Sequence, residues 1–252
     1  MSWASKRRTI YFSFFLSLFL LIASSFYYIF IYKAPTCTDG IQNQDEQDID
    51  CGGVCPKICE FQAVEPIILW SRFFKVKEGI YNVVALIENP NFSTEAHDVP
   101  YSFKLYDKDN ILIAERLGKT YIPPRAVTAI FERTIITQER EPGRSPLFEF
   151  LKNPEWIKTD YEQPNIVVQN KELTEKDGNT RLEANIKNET VRTVEKIKVT
   201  GILTDKEGNA VAVSQTIVEK MSKNAVENVV FTWPGLLKDQ TSQIEVIILV
   251  EK

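Results

Sequence analysis

Two stretches of equal length decide how the chain is interpreted: IENPNFSTEAHDVPYSFKLYDKDN at residues 87–110 and IKNETVRTVEKIKVTGILTDKEGN at residues 186–209. Both open on Ile-x-Asn, and the second stretch begins 99 residues after the first. Both close on a turn in which Asp, Asn or Gly supplies the backbone geometry of a hairpin. The two stretches therefore indicate an internal repeat of about 100 residues.

Further matches extend this repeat. Residues 105–108 match residues 203–206 at an offset of 98, and Phe131 has an echo in Phe231 at an offset of 100. The surrounding sequence is rich in short β-branched and aromatic runs that Asn-Pro and Pro-Pro interrupt, a pattern typical of strands joined by turns. A strand-rich repeat of this length is the size of an immunoglobulin-like sandwich.

The predicted fold class is therefore mainly β, with two tandem immunoglobulin-like β-sandwiches at residues 61–158 and 159–252. Residues 156–165, WIKTDYEQPN, form the predicted boundary. In this region the one helix candidate is residues 145–158, SPLFEFLKNPEWIK, which Pro154 interrupts. We expect that segment to act as a connector between domains.

The N-terminus carries a different signal. Residues 9–32 run for 24 residues without a charged side chain. A helix of that length is about 36 Å long, enough for a hydrocarbon core of about 30 Å. This predicts a single transmembrane helix at residues 9–32 that contacts the lipid bilayer as a signal anchor. A cleaved signal peptide is the alternative, since Ala23 and Ser25 offer a small-x-small pattern before Phe26.

The charges around this segment predict its orientation. Residues 6–8 are basic, whereas Lys33 is the one basic residue after the segment until Lys57. Because basic residues favour the cytoplasmic side, residues 1–8 are expected to form a cytoplasmic tail. The protein is then a single-pass protein of the cell membrane whose C-terminal domains lie outside the cytoplasm.

All four cysteines of the chain fall in one segment, residues 33–60, and the remaining residues contain none. Thiols in an oxidising compartment end as disulfides, so the predicted topology favours two bridges among Cys37, Cys51, Cys55 and Cys59. Their spacing fits poorly with the paired C-x2-C ligands of zinc sites, and no histidine lies nearby. Three pairings remain open at this point.

The same segment is acidic. Oxygen-bearing side chains recur there at close intervals beside glycines that allow tight turns, and Glu46 adds another carboxylate. Calcium binds six to eight such oxygens, so the segment is a candidate calcium site, although its spacing differs from an EF-hand loop. A solvated acidic turn is the alternative. The candidate ligands are Asp39, Asn43, Asp45, Asp48 and Asp50.

Residues 37–55 also resemble a short cysteine-rich module of secreted and surface proteins, written roughly C-x-D/N-G-x-x-N-x-x-E-x-x-x-D-C-G-G-x-C. The resemblance implies a surface-exposed spacer or binding module without enzymatic activity. Cys59 follows Cys55 after three residues, which is wider than the spacing of the module. The matching residues are Cys37, Asp39, Gly40, Asn43, Glu46, Asp50, Cys51, Gly52, Gly53 and Cys55.

A second resemblance covers about residues 80–135. Its turns at residues 89–91 and 122–124 resemble those of late-embryogenesis-abundant type 2 domains. Residues 103–107 reproduce the motif of a bacterial family named for Phe-x-Leu-Tyr-Asp. The resemblance implies a β-sandwich, and these families share no catalytic residues that could be transferred.

Other classes of function receive little support. The net charge is −4, from 30 basic and 34 acidic residues, so the chain lacks the basic footprint of nucleic-acid binding. His97 is the sole histidine, and we expect it to be an ordinary turn residue. Motifs of serine hydrolases, phosphate-binding loops and zinc proteases are absent from the sequence. No catalytic residue is therefore assigned, and the chain is expected not to be an enzyme.

Two sequons match the rule for N-glycosylation, at Asn91 and Asn188, and they apply only in a host that glycosylates. Taken together, the sequence predicts a membrane-anchored extracytoplasmic protein that binds or scaffolds another protein or an envelope component. It could be a subunit of an envelope, secretion or surface assembly. A non-catalytic accessory domain of an envelope enzyme system, or a hydrolase built on paired carboxylates, is the alternative.

Overall fold

The computed structural model describes residues 3–32 and 35–251. Lys33 and Lys252, which belong to the predicted membrane flank and the predicted second domain, lie outside the described residues, as do residues 1–2 of the predicted tail. The described chain divides into two compact units, residues 1–55 and residues 56–252.

The first unit begins with one long helix. Helix α1 spans Trp3–Phe26 and continues as a π-helical turn, Tyr27–Ile31. Residues 6–30 have a mean hydropathy of 1.9, and every side chain described there is exposed. The segment is therefore long and apolar enough to cross a membrane, either as an anchor or as a signal sequence. The helix starts before the predicted span, so the basic residues 6–8 lie in its first turns rather than in a separate tail.

The second unit is built of antiparallel strands. Its first half forms two sheets, ordered β1-β2-β5 and β4-β3-β6, and the short strand β7 pairs with the start of β3. The strands are β1 Ile67–Lys77, β2 Ile80–Glu88, β3 Thr94–Tyr106, β4 Leu112–Ile122, β5 Val127–Ile136, β6 Leu147–Phe150 and β7 Ile157–Lys158.

The second half repeats this arrangement. Its sheets are ordered β8-β9-β12 and β11-β10-β13, the same order of first, second and fifth strands and of fourth, third and sixth strands. The strands are β8 Ile166–Lys176, β9 Asn179–Asn188, β10 Val194–Thr204, β11 Ala210–Met221, β12 Val226–Pro234 and β13 Gln243–Val250. The mainly β prediction is confirmed.

One predicted match in the repeat is wrong. Phe131 pairs with Val84 on β2, whereas Phe231 pairs with Leu182 on β9, which corresponds to Val83 in the first half. Phe131 therefore corresponds to Val230. Because side chains alternate between the faces of a strand, a shift of one residue places the two phenylalanines on opposite faces.

Each half encloses its own core between its two sheets. In the first half Val83 and Ile87 from β2 pack with Phe103 and Leu105 from β3. In the second half Leu182 and Ile186 from β9 pack with β10 residues such as Ile197 and Leu203, with Phe231 beside them. The alternating apolar residues seen in the sequence are the inward-facing positions of these strands.

A third apolar cluster joins the two halves. The outer face of sheet β1-β2-β5 packs on the outer face of sheet β11-β10-β13, with Val84 and Leu86 against Ile202 and Val213. Arg72 donates a hydrogen bond from its guanidinium to Asn209 Oδ1 at 2.8 Å beside this contact. The four sheets of residues 56–252 are therefore stacked face to face in one series.

Two local expectations differ from the structure. Residues 145–158 form β6 and β7 instead of a helix, because Phe148 is drawn into the first core and Trp156 into the same cluster. His97 lies in strand β3 and not in a turn. In both places, side-chain burial against the sheets outweighs the local sequence preference.

Candidate functional site

The segment that contains the four cysteines is tied by disulfides, as predicted. Cys37 and Cys55 form one bridge, with their Cα atoms 5.7 Å apart. Cys51 and Cys59 are disulfide-bonded as well, and no cysteine is free. The two bridges leave no thiolate to bind zinc.

Two of the predicted calcium ligands accept hydrogen bonds from the backbone. The Asp39 carboxylate accepts the amides of Thr36 and Ile41 at 3.0 and 2.9 Å. The Asp50 carboxylate accepts the Gly40 amide with both oxygens, at 3.1 and 3.0 Å. These carboxylates fold the loop back on itself by pairing amides that the turn leaves without a strand partner.

The glycines of the module allow a close approach of the backbone. Gly52 and Gly53 both have positive φ, 73° and 53°. A Cβ atom at Gly53 would lie only 1.9 Å from the Asp45 carbonyl oxygen. Any other residue at Gly53 would clash with the loop, so the Gly-Gly pair of the motif is required by its geometry.

Glu46 is the carboxylate that the loop buries, with 7% of its surface exposed. One oxygen, Oε2, accepts the Asn43 amide at 3.1 Å. The other, Oε1, lies 3.1 Å from Cys55 Sγ. The sequence pattern contains Glu46, but neither the spacing nor the composition shows that this one carboxylate faces the disulfide.

The remaining predicted ligands are distributed along the same loop. Asp48 accepts its neighbour's amide, from Ile49, at 2.8 Å, and Asp45 is exposed. Asn43 donates to Asp39 Oδ2 at 3.0 Å, while its own Oδ1 is buried without a hydrogen-bond partner among the described residues. Among the described residues, the predicted Asp ligands do not form a group of three whose oxygens lie within 4.8 Å of one another. Asn43 Oδ1 is the observation in this loop that favours a cation.

The two sequon asparagines are engaged in hydrogen bonds. Asn91 Nδ2 donates to the Val64 carbonyl at 2.7 Å, and Asn91 Oδ1 accepts the Val64 amide at 2.9 Å. Asn188 is fully buried, and its Nδ2 donates to the carbonyls of Arg192, Met221 and Ser222. In the folded protein the Asn188 amide is inaccessible to a glycosyltransferase.

A polar cluster around the buried Glu95, which sequence reasoning missed, lies at the start of β3. Glu95 is 2% exposed, and its Oε2 accepts the Tyr121 hydroxyl at 2.7 Å. His97 Nε2 lies 3.2 Å from Glu95 Oε1, and the His97 ring packs on the Tyr121 ring. Burial is the main cause that raises the pKa of Tyr121. The one signal in the sequence is that Glu95 and His97 occupy alternate positions of the same strand, β3.

An apolar strip lies on the surface at the start of β1, the first strand of the first half. Strand β1 is an edge strand, and its first three residues, Ile67, Ile68 and Leu69, are 46, 44 and 43% exposed. Val168 pairs with Ile186 on β9 as Ile68 pairs with Ile87 on β2. Yet Val168 is partly buried against the second core. The same position is therefore covered in one repeat and open in the other. We call Ile67, Ile68 and Leu69 the β1 strip.

Comparison with known proteins adds little. No protein-family model matches the chain, and no curated protein matches it. Among solved structures, red sea bream transglutaminase is similar over 69% of this chain and 27% of its own, at 10% identity and a TM-score of 0.26. A β-glucuronidase from glycoside hydrolase family 2 is similar over 88% and 27%, at 11% identity and a TM-score of 0.24. The chain thus spans about a quarter of the length of each of these proteins.

Proposed function

We propose that this chain is a membrane-anchored extracytoplasmic protein that binds or scaffolds another protein of the cell envelope. The exposed apolar helix at residues 6–30 supports the anchor. The complete oxidation of the cysteines supports an oxidising compartment. Binding, rather than catalysis, is supported by an exposed apolar strip on a sheet edge.

We infer that each half is an immunoglobulin-like sandwich. In both halves the first, second and fifth strands form one sheet, and the fourth, third and sixth strands form the other. The first, second and fifth strands and the third and sixth strands pair as A, B, E and as C, F do in such a sandwich, while the fourth strand lies beside the third instead of beside the fifth. An arrangement of this kind presents edges and loops to partners from a rigid frame.

The β1 strip carries the proposal. An edge strand has unpaired backbone groups on its outer side, and apolar side chains beside them give a partner strand both hydrogen bonds and buried area. Proteins that do not use such an edge usually cover it or place charges on it. Here Ile67, Ile68 and Leu69 are exposed in succession, which suits docking of an extended segment of another protein.

A photo-crosslinking amino acid at Ile68 tests this function in native membranes of the source cells. Strand β11 offers a matched control in Ile217, an exposed apolar residue, 55% exposed, on another edge strand. We expect the probe at position 68, and not at position 217, to give a discrete crosslinked species. The crosslink should disappear when Leu69 is changed to Lys.

Equal crosslinking at both positions, or none at position 68 in intact membranes, would contradict the proposed binding surface. A crosslink that survives Leu69→Lys would show that the contact does not depend on the apolar strip. Circular dichroism of the Leu69→Lys variant establishes that any loss is not caused by unfolding.

A further inference from the structure

The Cys37–Cys55 disulfide has a carboxylate packed against one of its sulfurs. Glu46 Oε1 lies 3.1 Å from Cys55 Sγ, and the carboxylate and both sulfurs lie within 4.8 Å of one another. Glu46 is 7% exposed and Cys55 is fully buried. A negative charge is therefore held beside the bridge in a site with little water to screen it.

Burial also decides which sulfur a reductant can reach. Cys37 is partly exposed, whereas Cys55 is 0% exposed. An incoming thiolate must therefore attack Cys37 Sγ. A new S–S bond forms to Cys37, the Cys37–Cys55 bond breaks, and the electron pair leaves on Cys55 Sγ as a thiolate. A second thiol of the reductant then releases Cys37 and becomes oxidised to a disulfide.

The leaving thiolate would develop its charge beside the Glu46 carboxylate. Exchange is slower when the leaving sulfur is a poorer thiolate, and a like charge at this distance destabilises that thiolate. We propose that Glu46 is an electrostatic guard that slows reduction of the Cys37–Cys55 bridge and so keeps the cysteine-rich module closed.

Glu46 also has a structural contact, which the test must separate from its charge. Its Oε2 accepts the Asn43 amide at 3.1 Å. Glutamine at this position retains a carbonyl oxygen for that amide and removes the charge. Asp48→Asn, compared in calcium-free buffer so that its candidate role as a calcium ligand does not enter, is the matched control. It removes one exposed carboxylate from the same loop and lies outside the group that Glu46 forms with the two sulfurs.

The experiment follows reduction of the oxidised full-length protein by dithiothreitol at pH 8, with quenched alkylation and mass spectrometry of each cysteine. We expect Glu46→Gln to speed reduction of Cys37 and Cys55 at least about fivefold. Asp48→Asn should change the rate less than about twofold. When reduced glutathione replaces dithiothreitol, its thiolate should form the trapped mixed disulfide with Cys37 and release Cys55 as the free thiolate, so that glutathione is found on Cys37 and not on Cys55.

The disulfide-bonded Cys51 and Cys59 provide an internal reference. If Glu46 acted only by holding the loop together, Glu46→Gln would accelerate alkylation of all four cysteines equally, and this would overturn the proposal. Equal rates in Glu46→Gln and the unaltered protein, or an equal effect of Asp48→Asn, would also overturn it.

Discussion

Two asparagines hold equivalent corners of the two repeats. Asn89 directly follows the second strand of its half, Asn188 is the last residue of the corresponding strand, and each is buried. Asn89 Oδ1 accepts the amide two residues ahead, from Asn91, as Asn188 Oδ1 accepts that of Thr190. Asn89 Nδ2 donates to the carbonyl of Thr94 at the start of β3 and to that of Pro123 just after β4. Asn188 Nδ2 donates to the carbonyl of Arg192 just before β10 and to that of Met221 at the end of β11. The Asn of the repeated Ile-x-Asn signature therefore forms hydrogen bonds with backbone carbonyls and amides that the turn would otherwise leave without a partner.

Replacing Asn188 with Ala should lower the free energy of unfolding by about 2–4 kcal/mol, because three carbonyls lose their donor and the carbonyl of Met221 among them is buried. Urea unfolding followed by fluorescence of the buried Trp233 measures the change. Asn228→Ala is the control, since Asn228 is exposed and makes one hydrogen bond to Asn185. A loss below about 1 kcal/mol is expected there. Similar losses in both variants would disprove the structural role.

The calcium prediction also belongs to single residues. The buried Asn43 Oδ1 without a partner is the observation that favours a cation, while the amide contacts of Asp39 and Asp50 show that the loop also uses its carboxylates to fold. Calorimetry should detect calcium binding with a dissociation constant of about 10⁻⁴–10⁻³ M. The double change Asp45→Asn and Asp48→Asn should weaken it, whereas Asp109→Asn, in a turn of the second unit, should not. An absence of calcium-dependent heat would leave the acidic segment as a structural turn alone.

Turn carboxylates recur at the scale of the hairpins. Asp107 Oδ1 accepts the amides of Asp109 and Ile111, and Asp205 Oδ1 accepts those of Glu207 and Asn209. The backbone amide of Asn209 is the largest cause that lowers the pKa of Asp205. These aspartates form the turns between the third and fourth strands of each half, as the sequence predicts. The two turns therefore share the same side-chain hydrogen bonds.

The N-terminal helix is an element whose orientation the sequence alone predicts. Because Lys6, Arg7 and Arg8 precede the apolar segment, protease added to intact cells or spheroplasts should digest the residues after position 32. An antibody to a C-terminal tag gives the measurement, and a cytoplasmic protein serves as the control for cell integrity. Protection of the tag would reverse the topology, and a mature protein that lacks residues 1–25 would show cleavage.

At the largest scale, the four sheets of residues 56–252 form a stack whose inner and outer faces differ at equivalent positions. Ile202, Val213 and Ile247 contribute to the contact between the halves. The residues at the equivalent positions in the outer sheet of the first half are charged. Two of them form an ion pair, in which Lys104 Nζ lies 3.9 Å from Glu115 Oε1. Lys104 corresponds to Ile202, Glu115 to Val213 and Glu149 to Ile247.

At the opposite end of the stack, the outward-facing positions are polar as well. Val84 and Leu86 face the other half, while their equivalents in β9, Glu183 and Asn185, face solvent. Glu183 forms an ion pair with Arg181 at 2.7 Å. Polar outer faces of this kind are typical of the terminal repeats of a stack.

This equivalence predicts how the second half behaves alone. Residues 160–252 would expose the apolar face that normally meets the first half, and we expect this segment to associate in size-exclusion chromatography. The triple change Ile202→Lys, Val213→Glu and Ile247→Glu copies the charged group of the first half. It should make the segment monomeric with a cooperative thermal transition.

Three exposed positions of the same segment provide the control, with the same net charge added: Thr232→Lys, Gln243→Glu and Lys223→Gln. That variant should still associate. A monomeric, cooperatively folding segment without any change would show that the contact between the halves contributes little to stability.

The sequence by itself determined the features that local composition and spacing control. Two strand-rich repeats follow from the matched Ile-x-Asn and Asp turns, because alternation and turn residues act within a few positions of each other. The apolar helix follows from an uninterrupted hydrophobic run. Oxidation of the cysteines follows from their isolation in one segment after that helix.

Tertiary structure alone decided which face each residue occupies. Phe131 and Phe231 look equivalent in sequence, yet a shift of one residue puts one against the other half and one in a core. Glu46 became the buried carboxylate of the cysteine-rich loop, and the Asn188 side chain became a buried hydrogen-bond donor, because other residues close over them. Burial depends on packing across sheets and between loop segments, and the free energy of that packing is absent from any local pattern.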